Sequence, residues 1–214
     1  MQHPLSHLSI RKSKLGATAA ALALSSFVAL PALANDKGDE IRFDLSRSAG
    51  IVKAACLANA RGTVSIEKAG PVEYMRVKVE GLPPNTDFDF FVIQQPNSPF
   101  GMSWYQGDIE TNAKGIGHGT FIGRFNAETF IVAPGALPAP SVHNNAFPDA
   151  ILNPPTGPIH TYHLGLWFNS PTDAGNAGCP TGVTPFNGEH NAGVQVLNTS
   201  SFPDLQGPLL QLKP

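Results

Sequence analysis

The chain has 214 residues, with 14 Lys and Arg against 16 Asp and Glu, and it is rich in Gly (21) and Pro (20). Low charge and abundant turn formers argue against a helical bundle. The mild acidity argues against nucleic acid and anionic membrane surfaces, both of which reward a basic patch.

The first 34 residues read as an address. Arg11, Lys12 and Lys14 form a positive n-region, 15–30 is an uncharged Ala- and Leu-rich run, and Ala32-Leu33-Ala34 is a small-x-small exit. Together these mark a secretory signal peptide cleaved after Ala34. The apolar run is short for a membrane span, and no later segment has 18 consecutive apolar residues, so no transmembrane anchor is expected in the mature chain. The leader carries three of the 14 basic residues and none of the 16 acids, leaving 11 against 16 and a net charge of −5. Residues 35–214 are then expected as a single domain, secreted or periplasmic, and long enough for one core.

Within that domain, period-2 apolar patterns recur between turn signals. Ile41, Phe43 and Leu45 alternate with polar residues, as do Val64 and Ile66, then Met75, Val77 and Val79. Ala69-Gly70-Pro71 reads as the turn joining the last two runs. Residues 48–60 are ambiguous between helix, favoured by Ala54, Ala55, Leu57 and Ala58, and a strand starting at Ile51-Val52. Residues 87–95 are apolar on both faces, with Phe88, Phe90 and Val92 one way and Phe91 and Ile93 the other, which predicts a central strand covered on both sides. Residues 104–110 and 119–125 flank a hairpin loop at 111–115, and 128–133 reads as a further strand. Seven of the 25 residues at 134–158 are Pro, which predicts a long irregular connection. Residues 159–169 return to strand character, with Tyr162, Leu164, Leu166 and Phe168 on one face. A loop at 170–191, a last strand at 193–197 and an extended tail complete the chain.

These patterns predict an all-β fold, an antiparallel two-sheet sandwich with long Pro/Gly-rich loops. Leu82-Pro83-Pro84-Asn85-Thr86-Asp87-Phe88 resembles the corner before a central strand in fibronectin type III and immunoglobulin-like sandwiches. The resemblance implies an immunoglobulin-like sandwich in the broad sense and no catalytic residue. Where that family usually has Tyr, this chain has Phe88, so the hydroxyl bond of that corner cannot form. The order of patterns over 40–133 also resembles that of uncharacterised exported bacterial β-sandwich proteins.

Cys56 and Cys179 are the only cysteines, and in an oxidising compartment they are expected to pair. The alternative is two buried thiols. His143, His160, His163 and His190 are the candidate metal ligands, with zinc or copper as the ions imidazoles favour. On a regular strand, however, His160 and His163 project to opposite faces. Trp104, Tyr105 and Trp167 are candidate ligand platforms if they face water, or core residues if they do not. Asp87 and Asp89 share one strand face. They suit acid–base work, or more simply edge solubility. No nucleophile elbow, phosphate loop or metal-site spacing is present. The sequence therefore points to a non-catalytic binding or structural module with an extracellular or cell-envelope ligand. A histidine metal site or enzyme and a carbohydrate-binding module are the alternatives.

Overall fold

The computed structural model describes residues 40–125, 161–204 and 206–212. The expected strand at 128–133 and most of the connection at 134–158 lie outside them. The chain divides between Asn35 and Asp36, and every described residue belongs to the second unit, Asp36–Pro214.

Among the described residues, eight antiparallel strands carry the fold: β1 (Glu40–Arg47), β2 (Arg61–Ala69), β3 (Val72–Glu80), β4 (Asp87–Ile93), β5 (Ser103–Glu110), β6 (Gly117–Gly123), β7 (His163–Phe168) and β8 (Gln195–Asn198). The class is all-β, and the hydrogen-bonded order is β5-β4-β7-β8-β1-β2-β3-β6. In place of the expected two-sheet sandwich, the strands belong to one sheet. The strand β1 joins its two halves: Glu40–Leu45 pair with β2, and Ser46 and Arg47 pair with β8. The end strands β5 and β6 are consecutive and meet at a Thr111–Gly117 bridge, so the sheet nearly closes into a flattened barrel.

The alternating side chains of β1, β2 and β3 point inward as their period predicts, with Phe43, Leu45, Val64, Ile66, Met75, Val77 and Val79 all buried. They meet Phe88, Phe90, Val92, Leu164, Leu166 and Phe168 from the other half. Phe90 stacks on Phe121 of β6 with ring centroids 5.3 Å apart. Gly107 makes room for this contact. Its φ is +149°, and a Cβ there would press on the Phe121 ring. The same residue sits at a bulge, where Gly107 opposes Phe90 and Tyr105 opposes Phe91, leaving Gln106 as the extra residue.

The corner at 82–88 is tied from outside itself. The Thr111 hydroxyl donates to Pro83 O at 2.6 Å and accepts from Thr86 N at 3.0 Å. A threonine on the neighbouring hairpin thus supplies a hydroxyl that Phe88 lacks.

The ambiguous stretch after β1 resolves as a short helix, α1 (Ala49–Lys53), capped by the Ser48 side chain, which accepts from Ile51 N. A second short helix, α2 (Pro171–Asn176), starts inside the expected loop. Ser170 is its N-cap and Pro171 stands in its first turn. The tail closes with a 3₁₀ turn at Pro208–Gln211 instead of running fully extended. Among the described residues, no helix is long and apolar enough to cross a membrane.

Cys56 and Cys179 form a disulfide with Cα atoms 5.6 Å apart. It links the segment after α1 to the segment after α2 across a sequence separation of 123. The chain-entropy model assigns such a closure roughly 4–5 kcal/mol. Reduction should therefore lower unfolding stability by about 2–5 kcal/mol. Denaturant melts with and without reductant check this, and an unchanged midpoint would contradict it.

Candidate functional site

Strand β4 sits between β5 and β7, and its outer face carries Asp87, Asp89, Phe91 and Ile93. On β5, Glu110 lies opposite Asp87, Asp108 opposite Asp89, and Tyr105 opposite Phe91. On β7, Trp167 lies opposite Asp89 and His163 opposite Ile93. The pleat therefore gathers acids at one end of this face and aromatics towards the other.

The segment after α2 folds back over the aromatics. Phe186 packs on Phe91 (5.5 Å between centroids), Trp167 (5.3 Å) and Phe100 (5.3 Å). Phe100 meets Trp167 edge-on at 5.0 Å, and Phe91 meets Tyr105 at 5.5 Å. Each such pair adds about 0.5–1.5 kcal/mol beyond burial. The Trp167 ring lies across Gly165, where a Cβ would collide with it. Trp167 is consequently fully buried, which makes it a core residue, the second of the two alternatives its sequence left open. The loop that covers it has no apolar periodicity, so the cover is invisible to pattern reading.

Beside this cluster stands a pair of carboxyls. Asp89 is only 2% exposed, and its Oδ2 has no protein partner. Asp108 stands opposite it on β5. Asp108 is exposed and accepts from the Tyr105 hydroxyl. Burial first, then the neighbouring Asp108 charge, pushes Asp89 up to about 7. Burial and the charges of Asp108, Glu110 and Asp173 raise Asp87 as well. Burial and the bond to Asp108 also raise the Tyr105 hydroxyl above the ordinary phenol range. Asp89 is therefore not a surface solubility device, contrary to the simpler reading of its sequence. It is a buried acid directly across the ladder from a second acid, Asp108.

A cleft of about 660 Å³ opens next to the aromatic cluster. Phe100, Val183, Pro185, Phe186 and Val194 give it apolar walls, and its polar lining comes from Ser48, Asn97, Ser98, Thr184 and Gln195. Among the described residues, no charged side chain lines it. Its floor is fixed by hydrogen bonds. Ser48 Oγ donates to Gln195 O at 2.6 Å, and Gln195 Nε2 donates to Pro96 O at 3.1 Å. Asn198 Nδ2 donates both to Pro96 O and to Gln195 Oε1, each at 2.9 Å. Volume, apolar walls and a few placed polar groups are the attributes of a small-ligand pocket.

The residues singled out by sequence fall as follows. Trp104 and Tyr105 are 50% and 46% exposed. Trp104 borders a shallow groove of about 220 Å³ with Val92, Ile122 and Arg124. His163 is fully buried. Its Nδ1 lies 2.8 Å from Thr199 Oγ1, and its Nε2 lies 3.1 and 3.0 Å from the carbonyls of Pro203 and Asp204. Burial lowers its pKa, and both nitrogens serve the tail. His190 is exposed on the covering loop with φ +57°. His143 and His160 lie outside the described residues. Among the described residues, no three His, Cys, Asp or Glu side chains gather as a metal ion requires. Sequence reading missed Phe100, Phe186, Gln195 and Asp108. The one available signal was Asp89, an acid on a strand face that is otherwise apolar beyond Asp87.

No protein-family model matches the chain, and no curated protein sequence matches it significantly.

The acid pair makes a signed prediction. Asp89 holds its proton more tightly folded than unfolded, so its contribution to stability is complete below about pH 4 and is lost as pH rises to about 7. Asp89→Asn cannot ionise. It should be about 1–3 kcal/mol more stable than wild type near pH 8, with the gap closing towards about pH 4. Urea melts across that range decide it; a gap constant with pH would refute the assignment.

Proposed function

We propose that the chain is an exported, non-catalytic binding module that holds a neutral, partly apolar ligand in the cleft between α1, the β4–β5 connection and the loop after α2. The observation that carries this is the character of the cleft, which is roomy, aromatic-walled, polar at chosen points and, among the described residues, lined by no charged side chain. An uncharged lining disfavours an ionic ligand, since nothing in it would repay the desolvation of a charge. Secretion or a periplasmic location belongs to the same proposal. It is supported by the leader pattern at 1–34 and by the disulfide, which needs an oxidising compartment. An immunoglobulin-like description of the scaffold is supported by the two facing halves and by the corner at 82–88. Continuity through β1 and the near closure at β5–β6 depart from it.

The test uses Nile red, a neutral apolar dye, as the probe. Wild type should bind it saturably, and Val183→Trp, which fills the cleft from an exposed wall position, should weaken binding about tenfold or more, that is, by about 1.4 kcal/mol or more. Circular dichroism confirms that the variant is folded. Absence of saturable binding by folded wild type would overturn the cleft reading.

A carbohydrate-binding role is the second reading, and the exposure of Trp104 beside Tyr105 favours it. Tryptophan fluorescence should change with a neutral glycan in wild type and not in Trp104→Ala. No change across a glycan panel would remove it. Of the candidate metal ligands, His163 has protein partners on both ring nitrogens.

A further inference from the structure

The outer face of the half-sheet formed by β1, β2, β3 and β6 carries a second concavity, far different in character from the cleft. The strand register sets its side chains in rows. One row runs Arg42, Ser65, Arg76, Thr120, and the next runs Asp44, Thr63, Lys78, His118. Long side chains thus stand around short ones. The result is a groove of about 270 Å³, with Arg42, Arg76, Lys78 and His118 as its rim and the hydroxyls of Thr63, Ser65 and Thr120 between them. Val64 and Val77 border it with their side chains turned into the core.

Among the described residues, no carboxylate lines this groove, although acids outnumber bases 16 to 14 in the chain. The carboxylates of the same face sit around it. Arg76 donates to Glu67 at 2.6 Å, Lys78 Nζ lies 3.1 Å from Glu80, and the Arg42 guanidinium lies 3.8 Å from Glu40. Asp44 stands across from Thr63. Arg76 is also seated over the Tyr74 ring, 5.8 Å from its centroid. These contacts orient the cations, and about half or more of each of the three side chains stays exposed. Exposed ion pairs hold weakly, so a second anion can compete for them.

We propose that this groove binds an acidic polysaccharide, a sugar chain bearing carboxylates. The guanidinium forks of Arg42 and Arg76 match the paired oxygens of a carboxylate. The two arginines are two strand spacings apart, about 10 Å between backbones. That separation suits a ligand with anionic groups in succession better than one small anion. Arg and Lys only donate, whereas Thr and Ser hydroxyls donate and accept, which fits the sugar hydroxyls between the charges. Among the described residues, no aromatic side chain lines the groove, so nucleic acid finds no surface for base stacking. Nor is there an apolar side chain open to it that would anchor an acidic peptide.

The groove shares no lining residue with the cleft, so its test does not depend on what the cleft holds. The probe is a short oligogalacturonate, titrated calorimetrically into the whole protein. A maltooligosaccharide of equal length, poly-aspartate and single-stranded DNA are the comparisons. Oligogalacturonate should bind saturably at low salt and weaken at about 1 M salt, where the screening length falls to about 3 Å. Arg42→Gln and Arg76→Gln should each weaken it about tenfold or more. Arg76→Lys, which keeps the charge and loses the fork, should lie between wild type and Arg76→Gln. Lys114→Gln, which removes an exposed cation outside the groove, should bind as wild type does. Circular dichroism checks each fold; if Arg76→Gln does not fold, Lys78→Gln replaces it with the same expected loss. Four results would each overturn the site: no binding of oligogalacturonate by folded wild type, equal binding of the maltooligosaccharide, equal or tighter binding of poly-aspartate or DNA, or groove variants that bind no worse than Lys114→Gln.

Discussion

The structure depends on a strand with almost no polar face. On β4, Phe88, Phe90 and Val92 are buried on one side, and Phe91, Ile93 and Asp89 on the other. Each large apolar side chain gains about 1.5–3 kcal/mol on burial, so neither face can be left to water. The barrel interior covers the first face. The second needs a separate cover, and the segment after α2 provides it. Much of the remaining design follows from holding that cover in place.

Three devices hold it. The disulfide fastens the chain just after α2 to the segment after α1, so the cover begins from a fixed point. The absence of a side chain at Gly165 lets Trp167 lie flat against the sheet, which leaves room for Phe186 above it. Pairing of Thr184 with Ala192 folds the loop back on itself before it returns as β8. Where the cover passes Ser48, Phe100 and Gln195 it does not fill the space, and the cleft is what remains. The cleft and the buried aromatic cluster are thus two consequences of one piece of chain laid over one sheet face.

Much of the scaffold was legible locally. The alternation in β1, β2 and β3 named the inward residues, because a strand buried on one side has a period of two. The two-faced pattern of 87–95 placed β4 at a central position for the same reason. Local pattern failed where burial came from distant chain. Asp89 has the sequence surroundings of a surface acid yet is buried, and the cover on Trp167 comes from Phe186, about 20 positions away in sequence. The join of the two halves through β1 was also out of reach. Which strand a residue pairs with is a long-range matter, and Ser46 finds its partner at Asn198. The short helices at 49–53 and 171–176 were blurred because each is little more than one turn, set by a serine cap rather than by periodicity.

The sequence by itself determined the composition class, the inward faces of the strands and which two cysteines were available to pair, since these follow from side-chain chemistry and a two-residue repeat. The tertiary structure alone decided that the layers are one nearly closed sheet, that His163 serves the tail and Trp167 the core, and that Asp89 is buried beside a second acid. Those outcomes depend on which distant segment excludes water from a given atom. Exclusion of water, unlike alternation, leaves no local trace in the order of residues.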